Sequence, residues 1–500
     1  MKYRTFISAA ALATGMLGAA PVMADITARQ AWDSIRDIGQ SYGQVITGTA
    51  TQAGDTLTVS GTQITMDMAE GRMEGDLGTI TLTEQGDGTV LLQLAEEHEM
   101  TMTVDPAEGE TMVMPLTIRQ TDLKTVITGN PGDLDFDLSA RELFVLMPEM
   151  TVDGEPVQTG LNLNVTRLAG QYRVDGVAPR RIGADLSAAQ ASLALDILDP
   201  EGNGNARLSV SAEDLASRST STVPEDSDMA DMNAMLKAGF TTDSELSYGP
   251  VSFDFDFADG ADTMQAEGTT QGGRFAVTMN ADTLSYAATQ TGLDLALRGS
   301  DIPLPEVTAR IAESAFRLKI PATKSDEMRE FGLLASYKGV EPGEMVWSMF
   351  DPQGVLPHDP ANLVLDLSGL GRWLVDFLDP AMATRMTDAP PAEIAALDLN
   401  ALELSVAGAS LTGQGSFTID NTDTSGGMPK PAGKVKLRLS GGNTLMDRLV
   451  ELGLLPQEQA QGARMMLGMF ARPGDAEDTL VSEIEVTEEG QVLANGQRLR

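Results

Sequence analysis

Apolar and polar residues alternate at every second position along much of this 500-residue chain. In one stretch Leu134, Phe136 and Leu138 alternate with aspartates. Because side chains of a β-strand point alternately to its two faces, this period predicts strands with one dry and one wet face, as in antiparallel sheets. The same pattern recurs at residues 57–61, 80–83, 161–165, 253–257, 293–297 and 363–367.

Helical patterns are few, so we expect an α+β class dominated by β-structure. The sheets should be long, curved and mostly antiparallel, with a few helices that cap their ends. Thr27 and Gln30 form a capping-box pair at the start of the first predicted helix. The predicted helices are Thr27 to Gly43, Pro224 to Ala238, a short one from Gly369 to Leu378, and two between Asn443 and Phe470 that are separated at Gly453 and Pro456.

Composition excludes several classes of site and disfavours one class of partner. The chain has 73 acidic and 34 basic residues, a formal charge of -39, two histidines and no cysteine. A disulfide framework, a zinc site with cysteine ligands, an iron–sulfur cluster and a thiol nucleophile are therefore excluded. Nucleic acid is not an expected partner, because its binding needs Lys and Arg to neutralise phosphates.

The N-terminus has the pattern of a secretory signal peptide. Lys2 and Arg4 precede an apolar stretch from Phe6 to Leu17, and small residues lead up to Ala24. The apolar stretch is shorter than the roughly 20 residues that span a bilayer. We therefore expect cleavage between Ala24 and Asp25 and a periplasmic mature chain with no transmembrane segment.

Domain boundaries are weakly marked. The expected organisation is a signal peptide at 1–24, a β-rich region at 25–223, a second β-rich region at 224–440, and a helical hairpin with a terminal β-hairpin at 441–500. Polar or Gly/Pro-rich stretches at 218–231 and 421–433 are the candidate hinges.

The sequence assigns no catalytic, cofactor-binding or metal-binding residue, and we expect a protein that is not an enzyme and needs no cofactor. No Gly-x-Ser-x-Gly motif is present. His98 lies in the acidic run Glu-Glu-His-Glu and is expected on a solvated face. His358 is expected to be anchored in a loop, with general base or metal ligand as the alternative. The aspartates at 133–137 and 254–262 have strand periodicity, although adjacent acidic rows could share a cation.

Methionine and a basic strand offer two further candidate surfaces. The 27 methionines form local clusters, which suit either ordinary packing or an apolar groove for acyl chains. Lys434, Lys436 and Arg438 share one face of a predicted strand and are expected to pair with carboxylates, with lipid headgroups as the alternative partner. The methionine clusters lie at 66–73, 100–114, 229–235 and 465–469.

Several short segments in the second half resemble an uncharacterised exported family of alphaproteobacteria, the domain of unknown function 2125. The resemblance implies that the whole mature chain belongs to this family, in which Arg is expected where His358 stands. It supplies no activity to carry over. A looser similarity to AsmA-like periplasmic proteins implies a role connected with the outer membrane or with lipids. The segments are 347–352, 356–360, 366–369, 427–431, 462–470 and 494–498.

Three functions remain open from the sequence. The first is a non-enzymatic periplasmic protein that holds a lipid, another apolar ligand or an envelope-assembly partner along a concave sheet. The second is a packed structural or interaction scaffold without a small ligand. The third, which is least favoured, is a hydrolase that uses carboxylates.

Overall fold

The structure is a computed structural model that describes residues 26–68, 70–106, 109–176, 179–199, 204–225, 231–379, 390–422 and 429–499. Strands make up 65% of it and helices 11%, which confirms the predicted β-dominated α+β class. The chain divides into an N-terminal unit that ends at Glu267 and a C-terminal unit that begins at Gly268. The predicted signal peptide lies outside the described residues, and the predicted domain boundaries stay predictions.

The N-terminal unit combines two helices with a series of antiparallel strands. Helix α1 spans Ala28–Ser41 and helix α2 spans Met232–Lys237; the predicted helix at 224–238 is thus observed only from Met232, and 226–230 lie outside the described residues. The strands are Gln44–Ala53 (β1), Thr56–Met68 (β2), Gly71–Glu84 (β3), Val90–Gln93 (β4), Glu97–Val104 (β5), Met112–Thr121 (β6), Lys124–Asn130 (β7), Asp133–Met147 (β8), Met150–Val152 (β9), Glu155–Val157 (β10), Thr159–Asp175 (β11), Arg180–Leu198 (β12), Gly204–Val223 (β13), Thr241–Tyr248 (β14) and Val251–Asp259 (β15). Strand β16, Asp262–Thr270, crosses the boundary between the units.

Strand order in the N-terminal unit follows the chain, with one division in the middle of the sheet. Strands β1, β2 and β3 pair in sequence, as do β8, β11, β12 and β13. Two positions of the sheet lie between β3 and β8, and two short strands share each of them. Strands β4 and β5 both pair with β3 and share the first position; strands β7 and β6 both pair with β8 and share the second. Strand β4 pairs with β7, and β5 pairs with β6. The unit therefore places nine strand positions side by side from β1 to β13.

Irregularities in the register bend these strands. The pairing of β1 with β2 shifts at Gly48, and the pairing of β2 with β3 shifts at Gly61 and Gly78. Gly61 and Gly78 have left-handed backbone angles, φ 61° and φ 64°, which other residues adopt only with strain. A bulge of this kind increases local twist and bends the strand, so the curvature has a definite local cause.

The buried side chains of the N-terminal unit follow the predicted period of two. Along β2, Leu57 and Val59 are fully buried and Thr58 between them is more exposed. Along β8, Leu134, Phe136 and Leu138 are buried. The alternation that predicted the strands therefore also identifies the face that carries the core.

The C-terminal unit is a second antiparallel meander, in which β17 to β24 pair in sequence and β24 pairs with β26. No helix within the described parts of the chain is long and apolar enough to cross a membrane. The elements are Gly272–Met279 (β17), Leu284–Gly299 (β18), Val307–Ile320 (β19), Arg329–Pro342 (β20), Glu344–Phe350 (α3), Ala361–Trp373 (β21), Ala392–Val406 (β22), Ala409–Asp420 (β23), Lys430–Ser440 (β24), Gly442–Glu451 (α4), Gln457–Phe470 (α5), Arg472–Pro473 (β25), Thr479–Val486 (β26), Val492–Ala494 (β27) and Gln497–Arg498 (β28).

The two helices predicted after Asn443 are confirmed as α4 and α5, but the short helix predicted from Gly369 to Leu378 is wrong. Strand β21 continues through Trp373; it pairs with β20 as far as Gly371 and with β22 as far as Trp373. The Trp373 indole donates to the carbonyl of Pro321 at 2.7 Å. Pairing on both sides outweighs a local helical pattern of this length.

Truncation of a core side chain tests the assignment of the buried face. We expect Leu57→Ala to lower the free energy of unfolding by about 2–5 kcal/mol, because it opens a cavity in a closely packed region. Leu246→Ala, on β14 where the side chain is 37% exposed, is the matched control and should cost less than about 1 kcal/mol. Urea unfolding measures both; similar losses would contradict the assignment.

Candidate functional site

Helix α1 lies against the inner face of the N-terminal sheet and is anchored at its N-terminus. Thr27 and Gln30 form the predicted capping box, which satisfies backbone donors that the first turn leaves free. The backbone N–H of Ala28 donates to the Glu84 carboxylate at the end of β3, at 2.8 Å. Trp32 is only 2% exposed, so this end of the helix is packed onto β1, β2 and β3.

The C-terminal end of α1 is attached to a strand far along the sheet. The hydroxyls of Tyr42, the C-cap residue, and Tyr172 on β11 lie 3.1 Å apart and share a hydrogen bond. The Tyr172 ring also packs against Phe136 at 5.9 Å between ring centres. Burial raises the pKa of both hydroxyls above the ordinary value of 10.0, so both stay neutral. The helix therefore bridges from β3 to β11.

A cavity of about 490 Å³ remains between α1 and the concave sheet. This volume lies in the range of about 300–1,000 Å³ that is usual for sites of small ligands. Most of its wall is aliphatic or aromatic, and none of its lining residues is Lys, Arg, Asp or Glu. Representative lining residues are Trp32, Ile35 and Ile38 of α1, Ile46 of β1, Ile80 of β3, Leu138 of β8, Leu168 of β11, Ile182 of β12 and Ser219 of β13.

The cavity demonstrates the predicted curvature of the N-terminal sheet. Ile46 and Ser219 both line it, although their strands are separated by seven intervening strand positions. In a flat sheet with a spacing of about 4.8 Å, β1 and β13 would lie roughly 38 Å apart. The sheet must therefore curl for both to reach one cavity.

His98 is the polar residue in this wall with the most unusual environment. It is 6% exposed, and both ring nitrogens are buried without a hydrogen-bond partner among the described residues. Burial lowers the pKa of His98 below its ordinary value of 6.5, which the Ala95 carbonyl and the Asp76 carboxylate oppose more weakly. The imidazole is therefore neutral at neutral pH. Its N–H group is close to the Ala95 carbonyl without a well-formed hydrogen bond, and its other nitrogen is an unused acceptor.

The expectation that His98 lies on a solvated face is wrong. Glu97 and Glu99 are exposed, whereas His98 and Met100 are buried. The period of two in β5 places His98 on the face of Met100 and not on that of its acidic neighbours. The signal was present in the sequence, but the charge of the surrounding residues outweighed it in the prediction.

A row of methionines continues the apolar face beyond the cavity. Met66, Met73, Met102 and Met114 stand opposite one another across β2, β3, β5 and β6. Met73 is buried and the other three are half-buried. Ordinary packing is thus confirmed for Met73, which packs with Ile64 and Met100 in the core. Its neighbours extend a partly exposed apolar surface, and a groove for acyl chains stays a prediction.

The C-terminal unit carries a broader apolar face, which we call the apolar rows. They consist of cross-strand partners that share one side of β17 to β24 and β26, and none of them is buried. Phe316, for example, is 44% exposed. The rows are Phe275, Ala288, Phe316, Ala335, Leu365 and Leu402; Val277, Tyr286, Leu318, Leu333, Leu367 and Leu399; and Tyr337, Leu363, Leu404, Leu411, Leu439 and Leu480.

His358 lies in a loop, as predicted, and is held by two neighbours. Its ring stacks on Trp347 of α3 at 4.1 Å between centres, and its Nε2 lies 3.6 Å from the Asp351 carboxylate. Burial of Asp351 raises its pKa, but the backbone N–H groups of Leu356 and Val355, together with His358, lower it more, so it lies below 3.8. This arrangement suits a carboxylate that fastens the loop after α3.

The charged rows that the sequence singled out are engaged with each other. Lys434 forms ion pairs with Glu483 and Glu485, and Lys436 pairs with Glu483, which confirms the predicted pairing for these two lysines. Arg438 stands opposite Thr412 and Val481 in the register. Exposed pairs of this kind contribute little to stability.

Aspartates of both runs also form an ion pair or a hydrogen bond with a nearby side chain. Asp135 pairs with Arg173 on β11, and Asp256 accepts a hydrogen bond from Gln265 at 2.7 Å. Within the described residues no three acidic or histidine side chains converge into a group that could hold a metal ion.

Three cavity residues were not anticipated from the sequence as parts of a site: Trp32, Tyr42 and Tyr172. Trp32 and Tyr42 lie within the first predicted helix, and the sequence assigned neither of them to a site. Tyr172 was not singled out, since nothing local indicates that it meets Tyr42 across 130 positions of chain.

The comparisons with known proteins place the chain in a family. A family described as "Uncharacterized protein conserved in bacteria (DUF2125)" matches residues 236–496, just over half of the chain. The chain belongs to this family. The match is shorter than the whole mature chain that the resemblance implied, and the cavity of the N-terminal unit, lined by residues 32–221, precedes it. No curated protein and no solved structure matches the chain; the similarity to AsmA-like proteins stays a prediction.

Removal of the buried imidazole should stabilise the unliganded protein. We expect His98→Leu to raise the free energy of unfolding by about 1–3 kcal/mol, because it removes a buried polar group without a partner. The stability difference between His98→Leu and the wild type should grow as pH falls below 6.5. Below that pH His98 is protonated in the unfolded wild type, whereas its lowered pKa keeps it neutral in the folded state, so protonation favours unfolding of the wild type alone. Urea unfolding on both sides of that pH measures it; a pH-independent difference would contradict a buried neutral His98.

Asp351 should contribute stability in the opposite pH range. Its lowered pKa means that the folded state favours the carboxylate, so the contribution is present above 3.8 and is lost as pH falls through the folded pKa. We expect Asp351→Asn to be less stable than the wild type at neutral pH, and the gap to narrow in acid. Thermal unfolding over this range, with the exposed Asp254→Asn as control, measures the gap.

Proposed function

We propose that this is an exported, periplasmic protein without enzymatic activity that binds an apolar molecule against the concave face of its N-terminal sheet. The observation that carries the proposal is the cavity of about 490 Å³ under α1, with its largely apolar wall. A small ligand site is usually a concave, mostly apolar pocket with a few polar groups that orient the ligand. The cavity has both properties.

The apolar rows of the C-terminal unit support the same kind of ligand. A soluble protein seldom leaves a contiguous apolar surface uncovered unless the surface binds something. Half-exposed Leu, Phe and Tyr side chains along nine strands, such as Leu363 and Phe316, are suited to acyl chains. The methionine row of the N-terminal unit adds side chains that adapt to irregular apolar shapes.

The other two functions that the sequence left open have less support. A fully packed scaffold would have no open cavity on its core face. A carboxylate hydrolase needs acidic side chains in the site, whereas the lining residues of the cavity include none. Contact with an envelope protein remains a second candidate, because Met465, Met466 and Met469 of α5 are 60–73% exposed.

The binding site is tested by filling the cavity. Full-length protein is delipidated and titrated with N-phenyl-1-naphthylamine, an uncharged apolar dye that fluoresces when it leaves water. We expect the wild type to bind it. Ala184→Phe, on β12 in the cavity wall, should weaken binding at least about tenfold, equivalent to about 1.4 kcal/mol, because the ring takes the volume that the dye needs.

The matched control is Ala216→Phe, an exposed position on β13 that does not line the cavity. It should bind the dye as the wild type does. Equal binding by both variants would move the site away from the cavity, and no binding by the wild type would contradict the proposed function. Native mass spectrometry of the wild-type protein purified from its own host should detect a bound apolar molecule. The Ala184→Phe variant purified in the same way should lack it.

A further inference from the structure

Among the described residues of the cavity wall, one polar side chain is buried with no hydrogen-bond partner. His98 is more than nine-tenths buried, it lies in the cavity wall, and neither ring nitrogen has a hydrogen-bond partner among the described residues. Buried polar groups in folded proteins almost always have a partner, because an unpaired group costs free energy. A ligand or a water molecule in the cavity must therefore complete the bonding of His98.

The polar groups around His98 are already engaged with one another. The Gln120 side chain, next but one to the register partner of His98 on β6, donates to the carbonyl of Ala95 at 2.9 Å. The same side chain accepts from the backbone N–H of Leu123 at 3.0 Å. Tyr42 and Tyr172 bond to each other. These bonds hold the wall in place. Of the described lining residues, His98 is the one with buried polar side-chain atoms that make no hydrogen bond.

The lining also defines the charge of the ligand. None of the described lining residues is Lys or Arg, so a buried carboxylate or phosphate would contact no cation in the wall, and the chain as a whole is strongly acidic. Arg180 acts on the Tyr42 and Tyr172 hydroxyls but does not line the cavity. An unpaired buried charge is far more costly than a buried hydroxyl. A hydroxyl can accept from one imidazole nitrogen or donate to the other, so it matches His98 without a charge.

We propose that the cavity selects an apolar molecule with one uncharged hydroxyl group, which hydrogen-bonds to His98, and that it discriminates against fatty-acid anions. This inference rests on the proposed function, because it names the class of ligand that the same cavity takes. His98 is then a specificity-determining residue, and the aliphatic wall supplies the affinity.

The test compares three probes with the same chain length on delipidated, full-length protein: 1-decanol, 1-chlorodecane and decanoate. Each displaces N-phenyl-1-naphthylamine from the cavity, and the measured quantity is the ratio of their affinities. The chloro compound is close in shape to the alcohol but lacks the hydroxyl. Wild-type protein should bind 1-decanol well above decanoate.

His98→Leu should lower the ratio of 1-decanol to 1-chlorodecane affinity by roughly fivefold to tenfold, as expected for one hydrogen bond, with 1-chlorodecane affinity nearly unchanged. His98→Gln keeps a donor and an acceptor and should restore part of the preference. If His98→Leu weakens both probes equally, His98 only shapes the wall and the inference is overturned; a wild-type preference for decanoate overturns it too. If the dye itself fails to bind the wild type, the proposed function fails first, so the two failures are distinguishable.

Discussion

The structure of the N-terminal unit depends on the need to cover one wide apolar sheet face. Nine strand positions, if laid flat, would span roughly 38 Å. The one helix that packs on β1 to β3 and reaches β11 has 14 residues and is therefore only about 21 Å long. It cannot cover such a face. The sheet therefore curls around the helix, with bulges at Gly48, Gly61 and Gly78, and the space that neither fills is the cavity.

This origin explains the chemistry of the cavity. Its wall is built from the inward positions of strands whose outward positions carry the acidic residues, so the charge of the chain stays outside and the interior is apolar. A polar residue at an inward position is therefore surrounded mainly by apolar side chains. His98 occupies such a position on the same face as Met100, and its burial without a partner gives the cavity wall a polar group that can orient a ligand.

Much of the fold could be predicted from the sequence because the period of two is a local property. It predicted the strands at 134–138 and 363–367, and the capping box located α1 at Thr27. The errors arose where another local signal competed with it. Acidic neighbours suggested that His98 was solvated, although the alternation from Glu97 to Met100 placed it inside. Residues 369–378 looked helical, although pairing on both sides keeps Gly369 in a strand and pairing with β22 extends that strand to Trp373.

The sequence alone determined that the chain is β-dominated, which side of each strand is apolar, that no cysteine chemistry is available, and which family the second half resembles. The tertiary structure decided what those apolar sides enclose. Tyr42 and Tyr172 meet across 130 positions, and α1 lines one cavity together with strands up to β13. Alternation along one strand carries no information on how sharply the whole sheet bends. The physical reason is that curvature accumulates from small twists and bulges over many strands, and only their sum determines whether the apolar face closes completely or leaves room for another molecule.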